Sequence, residues 1–305
     1  MKKSNLSIAI AGSSGFLGQA LMHALQSRGC QVKQLIRSHP QKDTSKEVYW
    51  NPVSGHIERV GLEGVDVVIN LAGINIAKKR WNNSQKELLL KSRIQSTLLL
   101  SRTISKLKKP PKLFLSASAT GYYGNHLNQD LDESSPAGHH FLAQLCQEWE
   151  SATEEAEKRG IRTVHLRSGV VLGKEGGWLA KQLPLFKMGL GAYLGSGQQN
   201  VSWISLSDWL SACEFLIFNS ELSGPVNLTA PYPVTNKQFS KTLAAVLKRS
   251  CRLRIPEIFV LWCYGEMGKV LMLEGSKVLP KRLLEAGFEF LYPELRAALQ
   301  ACIAK

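Results

Sequence analysis

The sequence predicts an α/β protein: a doubly wound parallel sheet with a smaller, mainly helical lobe toward the C-terminus. Three observations predict it. Short apolar runs alternate with amphipathic stretches from residue 7 to residue 173. Most of these runs are continuously apolar, as strands buried on both faces are. The first of them leads straight into a glycine-rich loop that opens a helix.

The elements follow in order. SIAIAG at 7–12 reads as the first strand, and the amphipathic stretch 15–29 as a helix closing at Gly29. QVKQLIR at 31–37 and EVYW at 47–50 read as the next two strands. VDVVINLAG at 65–73 is an almost wholly apolar strand. A long helix over 81–107 is stopped by Pro110 and Pro111, because proline cannot donate to the helical ladder. KLFLSAS at 112–118 is another buried strand, a helix covers 137–159 up to Gly160, and 161–173 is a further strand.

The pattern changes at 174. A glycine-rich stretch, GLGAYLGSGQQN at 189–200, precedes WISLSDW, the short strand GPVNLTA and helices from 235 onward. Residues 1–173 therefore read as a sheet domain to which 201–230 returns. Residues 174–200 and 231–305 read as a smaller lobe on the substrate side.

Composition narrows the function classes. The 305 residues are 44% hydrophobic and 20% charged, ordinary for a folded protein with a sizeable core. The net charge of +14 raises nucleic acid or an anionic surface as a partner. The basic residues are scattered, however. Their densest runs, KKR at 78–80 and KLKKPPK at 106–112, are not interleaved with aromatics, so a nucleic-acid partner is not expected. A phosphate-bearing small molecule needs only one or two of these charges. Six cysteines (Cys30, Cys146, Cys213, Cys251, Cys263 and Cys302) form no C-x-x-C and no metal-ligand spacing. No metal is expected, and free thiols suit a reducing cytoplasm. The N-terminal MKKSN is followed by an apolar run that glycines interrupt early, so no secretory signal is read there. No run of 18 apolar residues suggests a membrane span.

The loop Gly12-Ser13-Ser14-Gly15-Phe16-Leu17-Gly18 sits at the first strand–helix junction. Its glycines permit a tight turn and close approach of a pyrophosphate, and the helix N-terminus offers free N–H groups to the anion. That context makes the sheet Rossmann-type and the ligand a dinucleotide. An acid at the end of the second strand would hold the ribose 2′-OH of NAD. This strand ends Ile36-Arg37-Ser38 without an acid, and Arg37 suits a 2′-phosphate, which favours NADP(H).

INLAGINIAKKRW, SRIQST, SASATGYYG, FLAQLCQEWE, RSGVVLG, GLGAYLGSGQQNVSWISLSD, NLTAPYPVTNKQF and LPKRLLEAGFEF occur in this order along the chain. With these motifs the sequence resembles the epimerase-like group of atypical extended short-chain dehydrogenase/reductases, the sugar-nucleotide epimerase or NAD-dependent epimerase/dehydratase family. The resemblance spans nearly the whole chain. It implies a Rossmann domain, a small C-terminal domain and NADP(H). It places Ile36 and Arg37 at the adenosine phosphate. It also places Leu71, Ala72 and Gly73 beside the cofactor, Glu87 and Arg93 on the long helix, and Val170 near the nicotinamide. Arg93 stands out on its own as well, in helical register with Leu89, Leu100, Ile104 and Leu107. A guanidinium on that apolar stripe needs a ligand phosphate, a carboxylate or an internal salt bridge.

Active short-chain dehydrogenases carry a tyrosine and, four residues later, a lysine on one helix face. The lysine lowers the tyrosine pKa, and the tyrosine moves a proton while the nicotinamide moves hydride. Here the corresponding helix reads Phe141-Leu-Ala-Gln-Leu145, and neither residue can carry a proton. Ser118 ends the preceding strand as a candidate hydroxyl. Tyr122 and Tyr123 follow it closely and are the candidate proton donors, with packing over the nicotinamide pocket as the alternative. His139 and His140 are possible bases or solvated loop residues. Trp50 and Asn51 stand where relatives place an aspartate near the adenine, with a core role for Trp50 as the alternative. Two functions follow. One is an NADP(H)-dependent oxidoreductase or epimerase acting on a small hydroxyl, carbonyl or sugar-nucleotide substrate. The other is a non-catalytic NADP(H)-binding protein that senses redox state or works through a protein partner.

Overall fold

The structure is a computed structural model that describes residues 5–38 and 46–304, apart from the Asn128 side chain. The first residues of the MKKSN segment lie outside that range. The chain begins with β1 (Ser7–Ala11), α1 (Phe16–Ser27), β2 (Gln31–Ile36), β3 (Glu47–Asn51), β4 (His56–Ile57) and β5 (Val67–Asn70). It continues through α2 (Asn83–Ile104), β6 (Leu113–Ala119), β7 (His126–Leu131), α3 (Phe141–Ser151), α4 (Glu154–Lys158), β8 (Arg162–Ser168) and β9 (Val170–Leu172). Then come α5 (Gly177–Lys187), β10 (Ala192–Leu194), β11 (Asn200–Val201), β12 (Trp203–Ser205), α6 (Leu206–Phe218), β13 (Gly224–Leu228) and β14 (Val234–Thr235). The last elements are α7 (Asn236–Val246), β15 (Leu253–Ile255), α8 (Glu257–Gly268), a π-helical turn (Lys269–Leu273), β16 (Ser276–Val278), α9 (Lys281–Glu285) and α10 (Leu295–Ala304).

The central sheet has the order β13-β8-β6-β5-β1-β2-β3-β4. Its pairs are parallel except β3 with β4. The alternation along β1 shows how both faces are covered. Ile8 and Ile10 enter the core under α1 and α6, with Leu21, Leu25, Trp209 and Leu216. Ala9 and Ala11 enter the core under α2 and α4, with Leu100, Ile104 and Ala156. The chain leaves β1 toward β2 and later returns on the other side as β5. This reversal is the topological switch point at which open α/β sheets bind ligands, beyond the strands' carboxyl ends.

Three elements differ from the sequence reading. The helix expected over 137–159 is two helices, α3 and α4. Ser101 of α2 stabilises the break: its Oγ donates to the Thr153 carbonyl and accepts from Ala156 N–H, each at 2.9 Å. The strand expected over 161–173 divides at Gly169. β8 stays in the central sheet, while β9 pairs with β12. At Gly169 the Ser202 carbonyl approaches so closely that a Cβ would sit 2.5 Å from it, so the backbone turns aside there. The stretch 174–200 holds helix α5, which glycines on both sides disguised. A second core gathers Leu172 of β9, Leu179 and Phe186 of α5, Trp203 of β12, and Phe239, Leu243, Leu295 and Leu299 of α7 and α10, so that of the 201–230 segment only β13 joins the central sheet.

Gly12 fixes the approach of the first loop to β5. It has φ +80°, and a Cβ there would meet the Leu71 and Ala72 backbone at 2.6–2.8 Å. Gly12→Ala should therefore lower unfolding stability by about 1–3 kcal/mol, through left-handed strain and backbone crowding together. Urea denaturation followed by circular dichroism measures this, and an unchanged midpoint would contradict it.

Candidate active site and cofactor cradle

The three loop glycines have different reasons to be glycine. At Gly12 and Gly18 the protein's own backbone leaves no room for a side chain. Gly15 has ordinary extended geometry, and a Cβ there would meet nothing closer than the Gly12 carbonyl at 3.4 Å. The protein itself does not require glycine at 15; a ligand approaching the backbone would. α1 begins immediately after Gly15, with no side-chain cap and no acid in its first turn. Its free N–H groups and the dipole therefore remain available to an anion. Ser13 is buried and donates to Gln34 Oε1 at 3.0 Å, which ties the loop to β2, while Ser14 is exposed. The Phe16 ring fills the space left by Gly173 and Gly176 after β9, and Leu17 joins the core beneath it. Ile36 ends β2, with Arg37 exposed beyond it.

Across the switch point, Leu71 N–H donates to the Ala11 carbonyl and Ala72 N–H to Asn70 Oδ1. Arg93 packs directly beneath Gly73, where a Cβ would lie 3.4 Å from its guanidinium carbon. The Arg93 guanidinium donates to the Leu89 carbonyl at 3.2 Å and the Ile74 carbonyl at 3.0 Å, and lies 5.1 Å from the Trp149 ring centre. Among the described residues no carboxylate pairs with it, so the internal salt bridge is not formed. Burial pulls its pKa down to about 10, which leaves it charged at neutral pH. Glu87 lies on an exposed face of α2, paired with Lys91 at 2.5 Å, and is not brought to Arg93. Val170 opens β9, its N–H bonded to the Ser202 carbonyl.

Beyond β6 the site is built by register. Ser118, Arg167 and Asn227 lie opposite one another on β6, β8 and β13 and so share one face of the sheet. The end of α3 lowers Glu150 onto that face. Arg167 grips it with two bonds, Nε to Oε1 and Nη2 to Oε2, both 2.8 Å. Ser118 Oγ donates to the same carboxylate at 2.6 Å. The remaining Arg167 nitrogen donates to Tyr123 Oη at 3.0 Å, and Tyr123 donates onward to Asn227 Oδ1 at 2.7 Å. The guanidinium also lies 3.4 Å from the Tyr122 ring centre. Burial alone would depress the Arg167 pKa, but the hydrogen-bonded Glu150 carboxylate outweighs it and holds the pKa above the ordinary value. His165 is two residues back on the same face, its Nδ1 3.7 Å from Glu150 Oε2.

The two tyrosines thus part company. Tyr123 is fully buried with both hydroxyl roles taken, and burial pushes its pKa up to about 12. Tyr122 is half-buried, and no hydrogen bond fixes its hydroxyl among the described residues. Phe141 and Leu145 join an apolar cluster with Trp81, Trp149 and Met267. His140 Nδ1 caps α3 by accepting from Ala143 N–H, and His139 is exposed. Trp50 is a core residue beside Val48 and Leu62, and Asn51 closes the following turn. Sequence reasoning missed Glu150 and Arg167 as functional side chains. The available signal was a charge inside the apolar strand TVHLRS and a glutamate next to Trp149 near the end of α3's buried stripe.

Residues 8–229 match the NAD dependent epimerase/dehydratase family, and residues 255–302 match a domain of unknown function, DUF1731. The epimerase family protein Mb2239 of Mycobacterium bovis is 43% identical over 295 residues, 97% of each chain. The epimerase family protein YfhF of Bacillus subtilis is 38% identical over 301 residues, 98% of each chain. A crystal structure of the human epimerase family protein SDR39U1 (isoform 2) with NADPH is similar at a TM-score of 0.88 and 32% identity, covering 98% of this chain and 99% of that one.

Two outcomes are expected. Arg167→Leu should destabilise the protein by about 3–5 kcal/mol, because it strands a buried carboxylate. The double variant Glu150→Leu with Arg167→Leu should recover part of that loss, as a denaturation double-mutant cycle would show. Tyr123 ionises at about 12 in the folded chain, against about 10 for an unfolded tyrosine. Its raised value contributes stability below pH ~10 that drains away as the pH rises toward ~12. Denaturation midpoints across that window should fall, and Tyr123→Phe should flatten the slope.

Proposed function

The chain belongs to the NAD dependent epimerase/dehydratase family, and from that premise we propose that it is an NADP(H)-binding oxidoreductase or epimerase. Its substrate is a small molecule bearing a hydroxyl or carbonyl group, with a sugar nucleotide as one such class, and its compartment is the cytoplasm. The observation that carries the reading is the division among the loop glycines. Two serve the fold, and Gly15 leaves space that a pyrophosphate would use. Residues Gly12 to Gly18 would hold the pyrophosphate, Ile36 and Arg37 the adenosine phosphate, and Leu71 to Gly73 with Val170 the remainder. Arg93, charged and without a carboxylate, suits an anionic group beneath Gly73. Bound there, the cofactor supplies hydride donation and acceptance.

The rest of the chemistry falls to this chain's own side chains. Ser118 spends its proton on Glu150, so its oxygen keeps acceptor capacity and could accept from a substrate hydroxyl. A proton taken there passes to Glu150 through the 2.6 Å bond. Tyr122, half-buried with its ring on Arg167, is the second hydroxyl in reach of the rim. Tyr123 serves as a brace. A second reading has a specific observation behind it: Phe141 and Leu145 are packed in an apolar cluster where the acid–base pair would stand. On that reading the protein holds NADP(H) without turnover and signals to a partner.

NADPH should bind at least about tenfold more tightly than NADH, the difference one charge-assisted phosphate contact makes. Arg37→Glu should level the two, and Gly15→Val should abolish binding while circular dichroism stays unchanged. Equal affinities in the unmodified chain, by cofactor fluorescence titration, would sink the NADP(H) assignment. On a panel of carbonyl, alcohol and sugar-nucleotide substrates, Ser118→Ala should slow any turnover by about 10²–10⁴-fold. Tight NADPH binding with no turnover across the panel would select the second reading.

A further inference from the structure

Helix α8 presents an apolar face to solvent. Ile258, Phe259 and Trp262 are 77%, 54% and 75% exposed. At ~100° per residue the three fall within one ~100° arc of the helix. Val260, on the opposite face, is buried against the protein, as is Met267 beyond the bend at Gly265. The Phe259 and Trp262 rings lie 6.1 Å apart, and Leu253, just before the helix, adds a further exposed side chain. Isolated exposed apolar residues are ordinary on protein surfaces; a contiguous aromatic group marks a contact.

The surroundings of this face are basic. The exposed loop Lys78-Lys79-Arg80 is fastened to α8, with Arg80 Nη1 donating to the Trp262 carbonyl at 3.2 Å. Arg252 is exposed on the chain entering the helix. Lys78, Lys79 and Arg252 form no ion pair among the described residues. The acids nearby are largely spent, Glu266 on Lys86 at 2.6 Å and Glu274 near Lys269 at 3.9 Å, leaving Glu257 at the helix start. The whole chain carries +14. A second copy would bring the same basic rim against itself, so the charge pattern disfavours self-association and suits an anionic partner.

We propose that α8 is an interfacial docking face for an anionic lipid bilayer, with Ile258, Phe259 and Trp262 entering the headgroup–acyl boundary and Lys78, Lys79 and Arg252 facing acidic headgroups. An amphipathic helix with aromatic and aliphatic residues on one face and cations at its border binds such surfaces in this way. The position also links the surface to the rim of the candidate site. After the bend at Gly265, the same segment delivers Met267, Val270 and Leu271 to the cluster that holds Trp81, Tyr122 and Phe141. Docking would set that apolar wall beside the membrane.

The full chain is tested by co-sedimentation with phosphatidylcholine vesicles and with vesicles in which roughly a third of the lipid is phosphatidylglycerol, at low and high salt. It should bind the anionic vesicles, bind the neutral ones weakly, and release as salt rises. Ile258→Ser with Trp262→Ser should weaken partitioning at least about tenfold, with circular dichroism and NADPH affinity unchanged as controls for folding. Lys78→Ala with Lys79→Ala should reduce only the anionic component. Brominated lipid should quench a share of the fluorescence that disappears in Trp262→Phe. A chain that stays in the supernatant with anionic vesicles overturns the proposal. So does vesicle binding indifferent to Ile258 and Trp262, and so does a concentration-dependent dimer, seen by sedimentation equilibrium, that Trp262→Ser dissolves.

Discussion

The pairing of Glu150 with Arg167 governs the end of the sheet from which the candidate site is built. Two charges withdrawn from water cost several kcal/mol each, and only close geometry with every donor used offsets that cost. Here the guanidinium gives two nitrogens to the carboxylate, the third to Tyr123, and its face to Tyr122. The carboxylate takes Ser118 as well. One pair therefore sets the position of the Ser118 and Tyr123 hydroxyls and of the Tyr122 ring and, through Tyr123 and Asn227, joins β13 to β6 and β8. The pair exists because the strands are in register. A shift of one residue in β8 would send Arg167 to the opposite face, among the apolar residues under α6.

The alternation of apolar runs and helices was sufficient to read the central sheet, because burial on both faces leaves a strong, local signal. Where the structure departed, the deciding contact was distant in sequence. The break between α3 and α4 depends on Ser101, some fifty residues earlier, and the turn at Gly169 on the Ser202 backbone. Helix α5 was hidden by its flanking glycines, which mark its boundaries but read locally as loop. The site shows the same divide. The glycine loop is contiguous and was legible. The Glu150–Arg167 bond joins residues 17 apart through strand register, and a lone charge in an apolar strand names no partner.

Buried polar groups recur across the sheet face that meets α2 and α3. Asn70 donates to Thr97, Trp149 donates to the same Thr97 hydroxyl, and Arg93 sits over the Trp149 ring. Polar groups placed this deep cost stability unless each is satisfied, and a hydrophobic substitute would fold at least as well. The opposite face, beneath α1 and α6, is packed almost wholly with aliphatic and aromatic side chains. The asymmetry separates two tasks. One layer holds the sheet together, while the other fixes the orientation of side chains whose positions matter at the strand ends.

Helix α3 carries this division along its own length. Its first turns, with Phe141 and Leu145, belong to an apolar cluster shared with the loop before α2 and the segment after α8. Its last turn delivers Glu150 to Ser118 and Arg167. A tyrosine and lysine at 141 and 145 would have put the ionisable pair at the helix start, open to the rim. In this chain the carboxylate that the same helix brings to the strand end, Glu150, lies nine residues beyond Phe141, bonded to Arg167 and to the Ser118 hydroxyl. On the proposed reading, that arrangement excludes direct contact between the carboxylate and a substrate. It makes Ser118 the hydroxyl through which a substrate proton would reach the carboxylate. It also leaves the start of α3 free to serve as an apolar wall, and so favours substrates that present a hydroxyl to Ser118 and an uncharged surface to Phe141.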